Sequence, residues 1–467
     1  MNIQQEKPKA IIFGASKHGQ RAFYSLYESY DIIAYSDNNQ NLWGRELNGI
    51  LVISPDHITD FGRNVTICVC IARHLGDVVI QLKKLGISLI KLMPYGIEYE
   101  YLNENPIPKI GFNKSYIKKQ NSNNLAVLFV QDIPCARTRK ISTALQHYGV
   151  ETYMISTYLI NDSAAFINEY VFNSFTELID FVNNSEIDIV HSSNEPNEFT
   201  AVLTGANKAL IHDVHDLVSM LIDPNIAELS LEYMSNVLSD GVMCTTNELA
   251  KMLQKKYQIQ DEKLFVLGNY PLSTSALAKY PKFEKKDDAI HLAYSGSVLQ
   301  SVRYRFDKIW PSIVSHEVHI HFFSNSTESS CSYLESISPY IHYEGNYCDD
   351  ELIQRLSKYD CGLVYPNLED DKQTDYINIA SPNKMYEYLD AGLPLVVGNA
   401  HILLEFVEKY NCGGYLDINC EIYPQLKAIS AINISVDFLA KYKMTMDLQA
   451  ERIISFYKKT LRARSQV

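Results

Sequence analysis

Nine cysteines run from Cys68 to Cys420 without a CxxC pair or any zinc-ligand spacing, and an odd number cannot all pair within one chain. That excludes a disulfide framework and a zinc-ribbon module. The thiols are expected to be reduced and mostly buried, with Cys68 and Cys70 on one face of a strand. No segment approaches the roughly 18 consecutive apolar residues of a membrane span. The opening MNIQQEKPKA has no hydrophobic signal-peptide core, so a cytoplasmic location is expected. Positive charge is in deficit: 42 Lys and Arg stand against 55 Asp and Glu, a net charge of -13. This disfavours a binder whose affinity comes from neutralising nucleic-acid phosphates. There is no repeat of solenoid length and no low-complexity tract.

What is present is a 467-residue chain, 46% hydrophobic and 21% charged, of ordinary globular composition and long enough for several domains. Short apolar runs at 10–13, 32–35, 50–53, 65–72 and 88–93 read as strands, and amphipathic stretches at 17–29 and 75–85 read as helices. Such alternation predicts parallel βαβ units, because a parallel connection needs a crossover. Residues 103–124, rich in Asn, Lys and Pro, read as a linker. The rhythm restarts at 125–130, and again at 290–295 after the charged PKFEKKDD. The expected fold class is therefore α/β, with three Rossmann-like domains. The expected boundaries are 1–105, a linker over 106–124, a second domain over 125–278, a third over 285–440, and a C-terminal helix over 441–467 packing back on the second domain. The helical spacing itself spans 436–461, and the cations that follow suit a helix C-terminus.

The third domain carries the most readable chemistry. In SPNKMYEYLDAGLPLVV, Ser381 is expected as N-cap and Pro382 at the first helical position, leaving free N–H groups suited to a diphosphate. Asn383 lies in that first turn. Lys384 and Glu387, three apart on one face, suit phosphate and vicinal ribose hydroxyls respectively. The bland alternative is a capped surface helix with an ion pair. The same domain opens with Ala293-Tyr294-Ser295-Gly296-Ser297, a strand entering a small-residue turn, followed by Arg303. Both loops are expected at the carboxyl ends of parallel strands, where open α/β sheets bind ligands.

These stretches, with YDCGLVYPN before them and VLGNYPL closing the second domain, resemble the GT-B nucleotide-sugar glycosyltransferases, most closely family 4 of bacterial polysaccharide synthesis. The resemblance covers 125 to the C-terminus, about three quarters of the chain. It implies that the last two domains form a GT-B pair around an interdomain cleft. It also implies that the third domain holds a UDP or GDP sugar through Gly296, Ser297, Arg303, Ser381, Asn383, Lys384 and Glu387, and that the second receives the acceptor. Two positions depart from the family pattern. Ile379 stands where many members carry a Glu near the donor sugar, and Ser297 stands where Arg often follows the glycine.

In the second domain, Ile211-His212-Asp213-Val214-His215-Asp216 follows a strand end. A metal site is disfavoured there, since His212 and His215 are not four apart on a helix. By resemblance, His215 or Asp216 meets the sugar or acceptor, a satisfied loop histidine being the alternative. Arg137 and Arg139 are candidates for phosphate or an anionic acceptor, with helix-start solvation as the equal alternative. His319 and His321 read as one partly exposed strand face and not as metal ligands. In the first domain, Gly14, Ser16, Gly19 and Asp37 approximate a dinucleotide fingerprint, but Ser16 replaces the middle glycine and disfavours NAD. FGASKHG, YSDNN and GRELNGILVIS resemble the nucleotide-sugar-binding domains of sugar N-acetyltransferases. A domain that docks or oligomerises without a ligand is the alternative.

The resulting expectation is a glycosyltransferase, metal-independent and needing no cofactor beyond its nucleotide-sugar co-substrate, moving a hexose to a saccharide or lipid-linked saccharide. Homo-oligomerisation through the first domain and peripheral contact with the inner membrane face are secondary readings. The alternative function is a catalytically inactive nucleotide-sugar-binding or regulatory scaffold.

Overall fold

The computed structural model describes residues 7–62, 64–71, 75–87, 89–93, 115–157, 159, 162–172, 174–194, 196–221, 226–273, 288–299, 304–347, 349–366 and 375–465. Two compact units account for them, one of residues 1–134 and 151–210, the other of 135–150 and 211–467. The class is α/β, and the strands are almost all parallel.

In the first unit, β1 (Lys9–Phe13), β2 (Asp31–Ser36), β3 (Glu46–Leu47), β4 (Ile50–Ile53), β5 (Thr66–Val69) and β6 (Ile90–Leu92) form a sheet ordered β3-β4-β2-β1-β5-β6. Only β3 runs antiparallel to its neighbour. The buried face of helix Lys17–Leu26 and the apolar side chains of β1 form one of the sheet's cores. The same unit holds β7 (Ala126–Val130), β8 (Glu151–Ser156), β9 (Asn168–Val171) and β10 (Ile189–Ser193) in the order β9-β8-β7-β10. Every residue of β7, β8 and β10 is buried, as expected for parallel strands covered on both faces.

Residues 115–124 correct the expected linker, of which 103–114 lie outside the described residues. Ile117 is fully buried in the core that holds Ala126 and Leu128. Lys119 Nζ lies 2.7 Å from Asp188 Oδ2, and the N–H groups of Gln120 and Asn121 each donate to Glu151 at 2.8 Å. A polar composition hid a segment whose polar groups are consumed internally.

In the second unit, β11 (Ala209–Val214), β12 (Gly241–Cys244) and β13 (Leu264–Val266) run parallel in that order. A six-stranded sheet follows, made of β14 (Ile290–Ser295), β15 (Val318–Phe323), β16 (Ile341–Gly345), β17 (Cys361–Val364), β18 (Leu395–Val397) and β19 (Gly413–Tyr415). Its order, β16-β15-β14-β17-β18-β19, reverses direction of growth between β14 and β17. The loops after those two strands therefore flank the switch point.

The expected helix over 436–461 is interrupted. Short helix Phe438–Lys441 and helix Ala450–Arg464 are separated by Lys443 at φ 55, a left-handed conformation that α-helix cannot continue through. Helix Ala450–Arg464 packs on β12 and β13: Phe456 stacks on Phe265 at 4.9 Å, and Arg464 pairs with Asp240 at 2.6 Å. Of the eight described cysteines, all are free thiols and six are buried.

Candidate functional site

The switch point of the six-stranded sheet assembles the first group of side chains. β14 is buried throughout and ends at Ser295, and Gly296 follows at φ 125, a conformation glycine adopts without a Cβ penalty. A Cβ on Gly296 would stand 3.1 Å from Lys384 Nζ, so the glycine keeps the turn open beside that ammonium. Lys384 lies over the Tyr294 ring, 3.8 Å from its centroid. The Tyr294 hydroxyl donates to the Ser297 carbonyl at 2.8 Å, holding the turn.

Helix Asn383–Asp390 supplies the opposing wall. Its N-cap is Pro382, not Ser381, and no side chain caps it. Ser381 Oγ is instead 3.1 Å from Tyr386 Oη, and the Ser381 carbonyl accepts from Asn269 Nδ2 at 2.7 Å. Pro382 takes the extended backbone of an N-cap, φ -68 and ψ 138, so the helix starts one residue later than expected, and its ring offers no acceptor to the first-turn N–H groups. The helix ends in a Schellman motif: Leu393 N–H bonds Tyr388 O at 2.8 Å, Gly392 N–H bonds Leu389 O at 3.1 Å, and Gly392 has φ 79. On the face toward β14, the Tyr388 hydroxyl accepts from Ser295 N–H at 2.7 Å, and Ser295 Oγ donates to Glu387 Oε2 at 3.3 Å. Lys140 Nζ approaches Glu387 Oε1 at 3.9 Å. Glu387, Lys384, Gly296 and Ser297 thus share one locus. Arg303 lies outside the described residues.

Beside Lys384 is an aromatic cleft lined among others by Tyr294, Tyr304, Phe306, Tyr365 and Tyr376. Burial pushes the Tyr365 hydroxyl up to about 12, so it stays a neutral donor. Sequence reasoning missed this cleft, because its rings come from β14 and from residues near 305, 365 and 376 that lie far apart in the chain.

A second group gathers at the end of β11. Arg137, read as a phosphate or acceptor ligand, is only 3% exposed. Its Nε and Nη2 clamp Asp213 at 2.9 and 3.1 Å, and Nη1 reaches the carbonyls of Leu267 and Gly268 and Asn269 Oδ1 at 2.8 to 3.1 Å. A guanidinium so occupied ties the 267–269 segment to the end of β11. Arg139, one helical position pair further on, is partly exposed. His215 Nε2 lies 3.2 Å from Asp213 Oδ2, and Nδ1 lies 3.9 Å from Cys135 Sγ. Burial pushes the imidazole down, but Cys135 and Asp213 outweigh it and hold its pKa well above the ordinary histidine value. Asp216, partly exposed, sits in the loop one residue on.

Ile379, itself partly buried, packs against the buried apolar core, and its carbonyl accepts from Thr246 Oγ1 at 2.7 Å. The same Thr246 oxygen caps helix Asn247–Tyr257 by accepting from Leu249 N–H. This position joins two elements by packing and brings no carboxylate.

Residues 293–441 match the family described as Glucosyltransferase 3-like, C-terminal domain. Residues 6–93 match C2185-like, N-terminal. A comparison with curated proteins found no match. Among solved structures, a glycosyltransferase from Rickettsia africae ESF-5 is similar at 12% identity and TM-score 0.52, covering 73% of this chain and 99% of that one. AviGT4, involved in avilamycin A biosynthesis, is similar at 11% identity and TM-score 0.49, covering 72% and 98%. Anabaena HepE, solved with UDP and glucose, is similar at 13% identity and TM-score 0.48, covering 74% and 100%. The Rickettsia likeness, at a TM-score of 0.52, shows a shared fold over 73% of this chain.

In the first unit, Ala15 N–H donates to Asp37 Oδ2 at 2.7 Å and Asn39 N–H to Oδ1 at 2.8 Å. Asp37 thereby ties the Gly14 turn to the loop after β2. Ser16 is the N-cap of helix Lys17–Leu26 without a side-chain bond. A Cβ on Gly19 would lie 1.8 Å from the Gly14 carbonyl, so glycine there permits helix and turn to touch. His18 Nε2 stands 3.6 Å from Asp132 Oδ2, and Arg21 donates to the Phe172 carbonyl.

Proposed function

We propose that this chain is a glycosyltransferase that moves a hexose from a UDP or GDP sugar to a saccharide or lipid-linked saccharide, in surface polysaccharide or glycoconjugate synthesis. The observation that carries the reading is the convergence of Gly296, Lys384 and Glu387 at the switch point, within the segment matching a glucosyltransferase C-terminal domain. In this reading residues 125–278 and 285–440 are a GT-B pair of family-4 type, the latter binding the donor. Residues 1–105 form a further Rossmann-like domain, resembling that of sugar N-acetyltransferases.

The chemistry follows from the side chains. The first turn of helix Asn383–Asp390, with Asn383, and the Lys384 ammonium meet the diphosphate: as the bond from the anomeric carbon to the diphosphate oxygen breaks, the acceptor oxygen bonds that carbon and releases its proton to solvent or to the leaving phosphate, and the nucleoside diphosphate leaves with the added negative charge. Fixed positive charge at the leaving group stabilises the transition state without a metal. Glu387, carrying one Ser295 hydroxyl bond, has lone pairs left for the ribose hydroxyls. The aromatic cleft takes the base. At β11, His215 is held between Asp213 and Cys135, and Asp216 beside it meets the sugar or acceptor. Arg139 is retained as an acceptor-side cation.

Release of free UDP or GDP from a panel of nucleotide sugars, by the full chain, tests the reading. Ile379, which packs where many family members bring a carboxylate, favours one second reading: a nucleotide-sugar-binding scaffold without turnover. Saturable donor binding with no nucleotide release over the panel would establish that second reading and overturn the first.

A further inference from the structure

Away from the switch point, four histidines cluster on β14, β15 and β16. The register puts His291 opposite His319 and His321 opposite His342, and the two-residue period of β15 sets His319 and His321 on one face. His291 and His321 are 5% and 4% exposed, and His319 is half-buried. His321 is thus more buried than a partly exposed strand face would be. The ring nitrogens are close: His291 Nδ1 lies 2.8 Å from His321 Nε2, and His319 Nδ1 lies 3.1 Å from His342 Nε2. One nitrogen each from His291, His319 and His321 lie within 4.8 Å of one another.

We propose that His291, His319 and His321 bind one divalent transition-metal ion of the zinc type, at a site separate from the donor locus. Imidazole nitrogens on one tetrahedral ion, at ~2.0–2.1 Å from the metal, stand about 3.3 Å apart. The spacing here brackets that value, so small side-chain adjustments complete the set. His321 is already oriented for the task. Its Nδ1–H donates to Glu344 Oε1 at 2.7 Å, which leaves Nε2 unprotonated toward His291, the arrangement in which a carboxylate fixes the tautomer of a metal-binding histidine. Neutral imidazole is the metal-binding form. Tyr340 and Tyr359 flank the cluster, their rings tilted against those of His319 and His321 at centroid distances of 5.2 and 4.8 Å. His291 is four residues before Ser295 on β14, roughly 13 Å along the strand, so the ion ties β14 to β15 without touching the donor. The proposal is independent of the transferase reading.

The experiment uses the full chain, stripped with a chelator and titrated with Zn²⁺ in competition with a chromophoric chelator. Co²⁺ then serves as a spectroscopic probe of coordination. One equivalent should bind saturably at neutral pH, with a visible Co²⁺ absorption typical of low coordination number. His319→Gln, and Glu344→Gln acting through His321, should each weaken Zn²⁺ roughly tenfold to hundredfold. His401→Gln and Cys420→Ser, at exposed positions, should leave binding unchanged. Circular dichroism checks folding, and Glu344→Gln, which removes no ring, carries the test if His319→Gln does not fold. Absence of a saturable equivalent overturns the proposal, and so does a Zn²⁺ affinity indifferent to folded Glu344→Gln. A cluster that alters stability with pH but not with Zn²⁺ is a proton-linked histidine chain and equally overturns it.

Discussion

Glu387 and Arg137 are both charged residues near the same segment, yet their surroundings assign them opposite kinds of work. Glu387 is partly exposed, receives a single hydroxyl from Ser295, and faces Lys140 only at 3.9 Å. Charge-assisted hydrogen bonds to ribose are worth ~1.5–3 kcal/mol each. Glu387→Ala should therefore lower donor-nucleotide affinity by about tenfold or more while leaving the melting temperature nearly unchanged, as calorimetry and thermal melts would show. Arg137 is buried, with Asp213 clamped against it. Removing one partner of a buried pair strands the other charge, at ~3–5 kcal/mol. Arg137→Ala should accordingly lose that much stability in urea titrations. A folded Arg137→Ala of normal stability that fails only in acceptor binding would return Arg137 to a ligand role.

At the scale of elements, the segment 115–124 decides where the first domain can be cut away. Ile117 fills a core position, and Glu151 depends on the N–H groups of Gln120 and Asn121. A chain beginning at residue 115 should keep its melting behaviour in this core, whereas one beginning at 125 should lose the Ile117 side chain, worth ~2–5 kcal/mol, and leave Glu151 without backbone donors. Equal melting temperatures for the two truncations would show that the segment contributes nothing. Asp37 belongs to the same scale. Both its oxygens already hold backbone N–H groups, so Asp37→Ala should loosen the Gly14 turn, read as a lower melting temperature of the full chain. Loss of a measurable UDP-sugar affinity with unchanged melting would instead make residues 1–105 a second nucleotide site.

For the whole molecule, buried carboxylates set the response to acid. Burial raises the pKa of Glu151, but the N–H groups of Gln120 and Asn121 and the Tyr153 hydroxyl outweigh it and hold the carboxyl below its ordinary value of 4.5. Burial likewise raises Glu232, yet the Tyr257 hydroxyl, Ser219 and Lys256 bring it below 4.5. A carboxyl depressed in the folded state contributes stability above about 4.5 and loses it as pH falls through the folded value. His215 has the opposite sign: its raised pKa contributes stability below about 6.5 and loses it as pH rises through the folded value. Melting temperature against pH should therefore fall on the acid side, and Glu232→Gln should flatten that limb. An unchanged acid limb in Glu232→Gln would remove this residue from the account.

The alternation of apolar runs with amphipathic stretches determined the α/β class and the positions of the long strands, because a buried parallel strand must be continuously apolar and its crossover helix must show one apolar face. The small-residue turn at Gly296 was legible as a local backbone requirement, and the helix start near Pro382 was legible only to within one residue, because the N-cap is Pro382 and not Ser381. Short edge strands such as β9, β13 and β19 were not legible, for three or four half-exposed residues leave no pattern. The partners of charged groups were decided only in three dimensions. Arg137 meets Asp213 across 76 residues, Glu387 meets Ser295 across 92, and His291 meets His321 across 30. Sequence marks which side chains can carry charge or bind a proton. Which of them are spent on holding the chain together, and which keep lone pairs for a ligand, depends on contacts between strands and loops that only the packed sheets bring within reach.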